Sequence, residues 1–229
     1  MIDAVMCELE GVLIDSSVQR RRALQHSLAD EGLALSDTTY HEHCAGRSTD
    51  AAVQNALRVL GKDDGGALAA LLVLRANDHF ARLAASGVLL APGAVEFLES
   101  VRAATRAAVV TRATRREAEP MLAVAGLDSV FDCLICAEDS PAPKPSGAPY
   151  EAALARLGRR SAVDRRRAIA LENGVDGIRA AVAARVRCIA VGALPAHELI
   201  GADGAIASIV GETPASLEAL LVRAEENVA

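Results

Sequence analysis

The stretch Ala4-Val-Met-Cys-Glu-Leu-Glu-Gly-Val-Leu-Ile-Asp-Ser16 decides the fold. An apolar strand delivers two carboxylates, Glu8 and Glu10, into a Gly turn. In an open α/β sheet, ligands bind beyond the carboxyl ends of the strands, so both acids stand where a phosphate or a metal would be handled. Side chains alternate along a strand, so the Cys7 thiol is expected to face away from Glu8 and is not a substitute nucleophile.

Outward from this stretch, apolar runs recur at Ala107–Thr111, Cys133–Cys136, Ala168–Leu171, Cys188–Val191 and Ala205–Ile209. Apolar residues at three- and four-residue spacing predict helices over Ala94–Arg102, Arg115–Ala125, Pro149–Leu157, Asp176–Ala184 and Ser216–Glu226. Strand and helix alternating in this way imply an α/β fold with a doubly wound parallel sheet. Residues 17–87 break the alternation. Their patterns are helical (Val18–Glu31, Thr49–Leu60, Ala67–Ala84), and turn residues mark both ends, Asp15-Ser16-Ser17 and Gly87 to Gly93. The expected organisation is an α/β core of residues 1–16 and 88–229 with an inserted helical domain, residues 17–87.

The 229 residues, 52 % hydrophobic with net charge −6, suffice for one such core plus an insertion. No basic tract interleaved with aromatics suggests a nucleic-acid partner, and no apolar run reaches the roughly 18 residues of a membrane span. A soluble cytoplasmic protein is expected, and its five cysteines, an odd number, argue for reduced thiols. Cys133 and Cys136 lie in a strand pattern and are expected to pack in the core. His41, His43 and Cys44 lack a fuller zinc-like spacing and read as a polar loop or helix start.

Four segments carry a family resemblance, in order and across essentially the whole chain. The first, already quoted, resembles Asp-x-Asp-Gly-(Val/Thr)-Leu-x-Asp-(Ser/Thr). The second is Ala107-Ala-Val-Val-Thr-Arg-Ala-Thr114, and the third Glu138-Asp-Ser-Pro-Ala-Pro-Lys-Pro-Ser-Gly-Ala-Pro-Tyr150. The fourth is Ala168-Ile-Ala-Leu-Glu-Asn-Gly-Val-Asp-Gly-Ile-Arg-Ala-Ala181. Together they resemble the haloacid dehalogenase (HAD) superfamily, in its phosphoglycolate phosphatase and β-phosphoglucomutase-like branch, whose Rossmann-like core carries a helical cap.

The resemblance implies a Mg²⁺-dependent phosphatase acting on a small phosphorylated metabolite. Glu8 would be the carboxylate nucleophile, Glu10 the acid/base, and Lys144 the charge beside them. Thr111 and Arg112 would bind phosphate with Lys144, and Arg47 in Gly46-Arg-Ser-Thr-Asp50 would clamp substrate from the cap, unless Ser48 or Thr49 is merely a helix cap there. Glu8, Glu10 through its carbonyl, Glu172 and Asn173 would hold Mg²⁺ weakly or not at all, with Asp176 either compensating or serving its own helix.

Three positions depart from the pattern, because Glu8, Glu10 and Asn173 stand where the superfamily has Asp. Each added methylene displaces a carboxylate by on the order of 1 Å, enough to cost about 10²-fold in rate. The alternative is therefore a catalytically inactive HAD-fold protein that binds a metabolite or a protein partner. Lys144 adds independent weight to anion handling. The chain holds two lysines against twenty-two arginines, so a lysine between prolines marks a place for a compact point charge.

Overall fold

The computed structural model describes residues 1–62, 66–159 and 162–226. In chain order the elements are β1 (Ala4–Cys7), β2 (Ile14–Asp15), α1 (Ser17–Ala29), α2 (Asp37–His43), α3 (Thr49–Val59), α4 (Ala67–Ser86), β3 (Leu89–Leu90) and α5 (Ala94–Ala104). There follow β4 (Arg106–Val110), α6 (Arg115–Val124), β5 (Cys133–Ile135), α7 (Ala148–Gly158), β6 (Ala168–Glu172), α8 (Val175–Ala183), β7 (Arg187–Val191), β8 (Gly204–Ile206) and α9 (Pro214–Glu226). They form two compact units, one of Met1–Asp15 with Leu89–Ala229 and one of Ser16–Val88.

The first unit is the expected doubly wound α/β fold. Its sheet runs β5-β4-β1-β6-β7-β8 and every pairing is parallel. Strand order reverses at β1, flanked by β4 on one side and β6 on the other, and a reversal of this kind opens a crevice at the strands' carboxyl ends. Strands covered on both faces need apolar residues throughout, and β1 and β6 are buried along their whole length. Small side chains dominate: Ala108, Ala168, Ala170 and Ala190 share a core with Met6, Ile135, Tyr150 and Ile178.

The chain leaves and re-enters this unit through a feature that the sequence pattern does not announce. β2 pairs antiparallel with β3, Ile14 facing Leu90 and Asp15 facing Leu89. Two residues a side are too short to show a period of two.

The second unit is helical. Leu24, Leu28, Val53, Leu57 and Leu72 form its core with Tyr40 and Cys44. Helix α2 replaces the polar loop or helix start that the histidine-rich segment suggests. Ser36 caps it by accepting from the Thr39 N–H at 3.1 Å. His41 and His43 are exposed while the buried Cys44 thiol donates to the Ala52 carbonyl, so these three do not converge on a metal. Ser48 caps α3 by accepting from the Ala51 N–H at 3.3 Å.

Candidate active site

Glu8 follows β1 and is anchored by its own backbone, whose N–H donates to the Leu171 carbonyl of β6 at 2.9 Å. Its side chain folds back. One oxygen, Oε1, accepts from the Leu9 N–H at 2.8 Å, and the other, Oε2, accepts from Lys144 Nζ at 2.7 Å. The Lys144 ammonium also donates to the Val110 carbonyl at the end of β4, at 2.7 Å, and to Glu172 Oε1 at the end of β6. Tyr150, on α7, donates its hydroxyl to the same Glu172 oxygen.

Lys144 is thus a buried cation spanning three adjacent strand ends, its side chain only 1 % exposed. Burial alone would push its pKa down, but Glu172 and Glu8 outweigh that and hold it above the ordinary lysine value. Burial raises the Glu172 carboxyl against the lowering pull of Lys144, as one ammonium cannot fully compensate two carboxylates. The same burial, with Glu172 and Glu8 nearby, pushes the Cys7 thiol far up and leaves no thiolate there to attack.

Room for this cluster comes from a missing side chain. A Cβ on Gly177, in the first turns of α8, would overlap the Glu172 carboxylate itself. Gly177→Ala is therefore expected to destabilise by about 1–3 kcal/mol, the cost of overpacking a filled core. Urea unfolding would measure it, and a cost below about 0.5 kcal/mol would mean that Glu172 has another resting place.

Glu10 is half-buried in the turn after β1, where it bridges Ile14. Gly11 has φ +82°, and a Cβ there would overlap the Asn173 amide, so Asn173 lies directly over the turn that carries Glu10. Thr111 is buried past the end of β4, its hydroxyl accepting from the Ala113 N–H at 3.2 Å. Arg112 reaches across to Asp176 at the start of α8, a 3.4 Å ion pair with both side chains about half exposed. Arg47 is exposed in the helical unit, where it borders a small cavity with Arg20, Tyr40 and Phe80.

Residues 5–191 match the haloacid dehalogenase-like hydrolase family. The chain belongs to that family. Among curated proteins it is 30 % identical over 213 residues to protein CbbY of Cereibacter sphaeroides, covering 89 % of this chain and 90 % of that one. It is 26 % identical over 189 residues to phosphoglycolate phosphatase of Yersinia pestis, covering 82 % and 80 % respectively. Among solved structures, CbbY from Rhodobacter sphaeroides in complex with phosphate superposes with a TM-score of 0.75 at 27 % identity, covering 92 % of this chain and 96 % of that one. The superfamily and the branch suggested by the four segments are thereby shown, as is the fold.

Within this HAD framework the site differs from its expected form in two respects. The first concerns anion donors. A strand end followed by a helix N-terminus ordinarily offers free backbone N–H groups, but here α6 is capped by the chain's own acids. Glu117 accepts from the Thr114 N–H at 2.8 Å, and Glu138 accepts from the Arg115 N–H at 3.1 Å. Asp139 adds a 2.5 Å ion pair with Arg115 and one of 2.6 Å with Arg156. The sequence does signal Glu117, since Thr114-Arg-Arg-Glu117 has capping-box spacing. Glu138 has no local signal, because it comes from a segment 23 residues away.

The second difference concerns the metal. As they stand the expected ligands are a poor fit to a divalent cation, because one oxygen of each carboxylate, Glu8 Oε2 and Glu172 Oε1, is committed to Lys144, and Asn173 adds no charge. Among the described residues, no three His, Cys, Asp or Glu side chains come together as a metal-holding group. Tyr150, which the sequence places only as the last residue of a motif, turns out to hold Glu172 in this arrangement.

Proposed function

We propose that this HAD-family chain binds a small phosphorylated metabolite at the carboxyl ends of β1, β4 and β6 and hydrolyses its phosphomonoester slowly. The observation that carries the reading is the buried pairing of Glu8 with Lys144, which holds a carboxylate in place at the end of the strand where strand order reverses. The complex of a CbbY variant with xylulose-1,5-bisphosphate, 27 % identical to this chain, supports a sugar-phosphate class of substrate.

In the proposed reaction a Glu8 oxygen attacks phosphorus as the bond to the leaving oxygen breaks, giving a glutamyl phosphate. Glu10 in its acid form gives its proton to the departing alkoxide. The resulting Glu10 carboxylate then takes a proton from water, which attacks phosphorus and releases Glu8 and inorganic phosphate. Thr111 contributes its hydroxyl, and Arg112 can turn from Asp176 to an anionic group because that pair is half exposed and weak. The helical unit would act as the cap domain, with Arg47 as its anion contact.

Slowness follows from the geometry. Both Glu8 oxygens already accept hydrogen bonds, and all three ammonium protons of Lys144 are directed to protein acceptors, so phosphate must compete for each. A metabolite-binding protein without turnover is the second reading, favoured by that same closed network. A screen of small phosphate monoesters separates them. Phosphate release abolished by Glu8→Gln supports the hydrolase; saturable binding of the same esters, with no release and no glutamyl phosphate trapped on rapid quenching, supports the binding protein.

A further inference from the structure

The family fold implies Mg²⁺, yet the cation found among the acids of this site is part of the chain. We propose that Lys144 is the resident cation of the site, standing between the Glu8 and Glu172 carboxylates in place of a divalent ion, so that the native protein handles phosphate without metal. The inference deepens the phosphatase reading and rests on it for the ligand.

Three observations carry it. First, an ammonium has three protons, and three acceptors meet them: Glu8 Oε2 at 2.7 Å, the Val110 carbonyl at 2.7 Å, and Glu172 Oε1. The valence of the cation is matched as that of a bound ion would be. Second, two further donors of the expected metal set are weakened independently. Glu8 Oε1 accepts from the Leu9 N–H, and Asn173 is neutral. A hard cation that gives up water reluctantly needs charged oxygens, and it would have to compete with Lys144 for Glu8 Oε2 and Glu172 Oε1.

Third, Glu8 itself closes the circuit. Its carboxylate is turned back onto Leu9 and Lys144, so the added methylene is accommodated by folding toward the ammonium. Lysine suits the place better than arginine. Three convergent acceptors around one point match a compact ammonium and not a planar fork, which gives a physical reason for a lysine in a chain with twenty-two arginines.

Calorimetric titration with Mn²⁺, a paramagnetic probe whose uptake can also be read by electron spin resonance, tests this without relying on turnover. The native chain is expected to show no saturable uptake and to bind inorganic phosphate equally in excess EDTA and in excess Mg²⁺. Lys144→Met leaves two buried carboxylates without their cation, and it is expected to take up Mn²⁺ at least about tenfold more tightly than the native chain. Where Lys144→Met does not fold by circular dichroism, Glu8→Asp with Asn173→Asp serves instead. It draws one carboxylate back from Lys144 and restores one charge, and the same gain is expected. Saturable Mn²⁺ uptake by the native chain, phosphate binding that requires Mg²⁺, or no gain in a folded variant would each overturn the proposal. Absent turnover with the titrations as expected would sink the phosphatase reading alone.

Discussion

Lys144→Met should lower the unfolding free energy by about 3–5 kcal/mol, the usual cost of removing one partner from a buried ion pair. For a chain of this length that corresponds to a fall of roughly 6–20 °C in Tm. The reason is not the loss of attraction alone. Glu8 and Glu172 are buried at 6 % and 2 % exposure, and without Lys144 they would face each other uncompensated in a site closed to solvent. The effect should be partly reversible by design. Lys144→Met with Glu172→Gln removes one stranded charge while leaving an oxygen for the Tyr150 hydroxyl, and at least about 1 kcal/mol should return as coupling between the two sites. Urea unfolding of the two single variants and the double variant closes the cycle. A Lys144→Met cost below about 1 kcal/mol would show that the cluster is not held together as the geometry indicates.

The parts of this molecule that were legible in the sequence are those set by local pattern. The run Ala168–Leu171 reads as a buried strand because an interior parallel strand needs apolar residues on both faces, and β6 occupies it with Glu172 as its last residue. Thr49–Leu60 reads as a helix because its apolar positions recur at helical spacing behind a serine, and α3 with its Ser48 cap follows. The β2–β3 ribbon was not legible, since two residues a side carry no period.

The candidate site was legible as a set of positions and not as a network. Glu8, Lys144 and Glu172 can each be found by motif, but a motif states which residues approach one another, and not which oxygen faces which proton. Whether Glu8 reaches outward or folds back depends on Leu9, Val110 and Lys144, contributed by separate parts of the chain. The role of Gly177 depends likewise on where the Glu172 carboxylate comes to rest. Glu138 over the start of α6 is a further case, as its partner N–H is distant in sequence and nothing in its own segment points there.

The same geometry makes Glu8→Asp with Glu10→Asp, carried together and best combined with Asn173→Asp, the variant with the largest expected gain in activity. Removing one methylene from Glu8 draws its carboxylate by on the order of 1 Å from Lys144 and frees an ammonium proton for phosphate, while restoring the near-attack distance of a shorter nucleophile. Shortening Glu8 alone would leave proton delivery to the leaving group displaced, so Glu10 must change with it. Charge is preserved at both positions. Asn173→Asp adds the charge that the site lacks beside Gly11, where the Asn173 side chain already lies. The combined variant should hydrolyse p-nitrophenyl phosphate at least about tenfold faster than the parent, a barrier change of about 1.4 kcal/mol or more, and in the triple form the gain should depend on added Mg²⁺. A parent already brisk, whose rate falls in the variant, would mean that the network around Lys144 has been refitted to glutamate, and the enzyme would then be a specialised one. Silence in both forms with the fold intact by circular dichroism would place the obstacle beyond these carboxylates. The acids covering the start of α6 would be the next to remove, because Glu117 and Glu138 hold the backbone N–H groups that a phosphate would otherwise use.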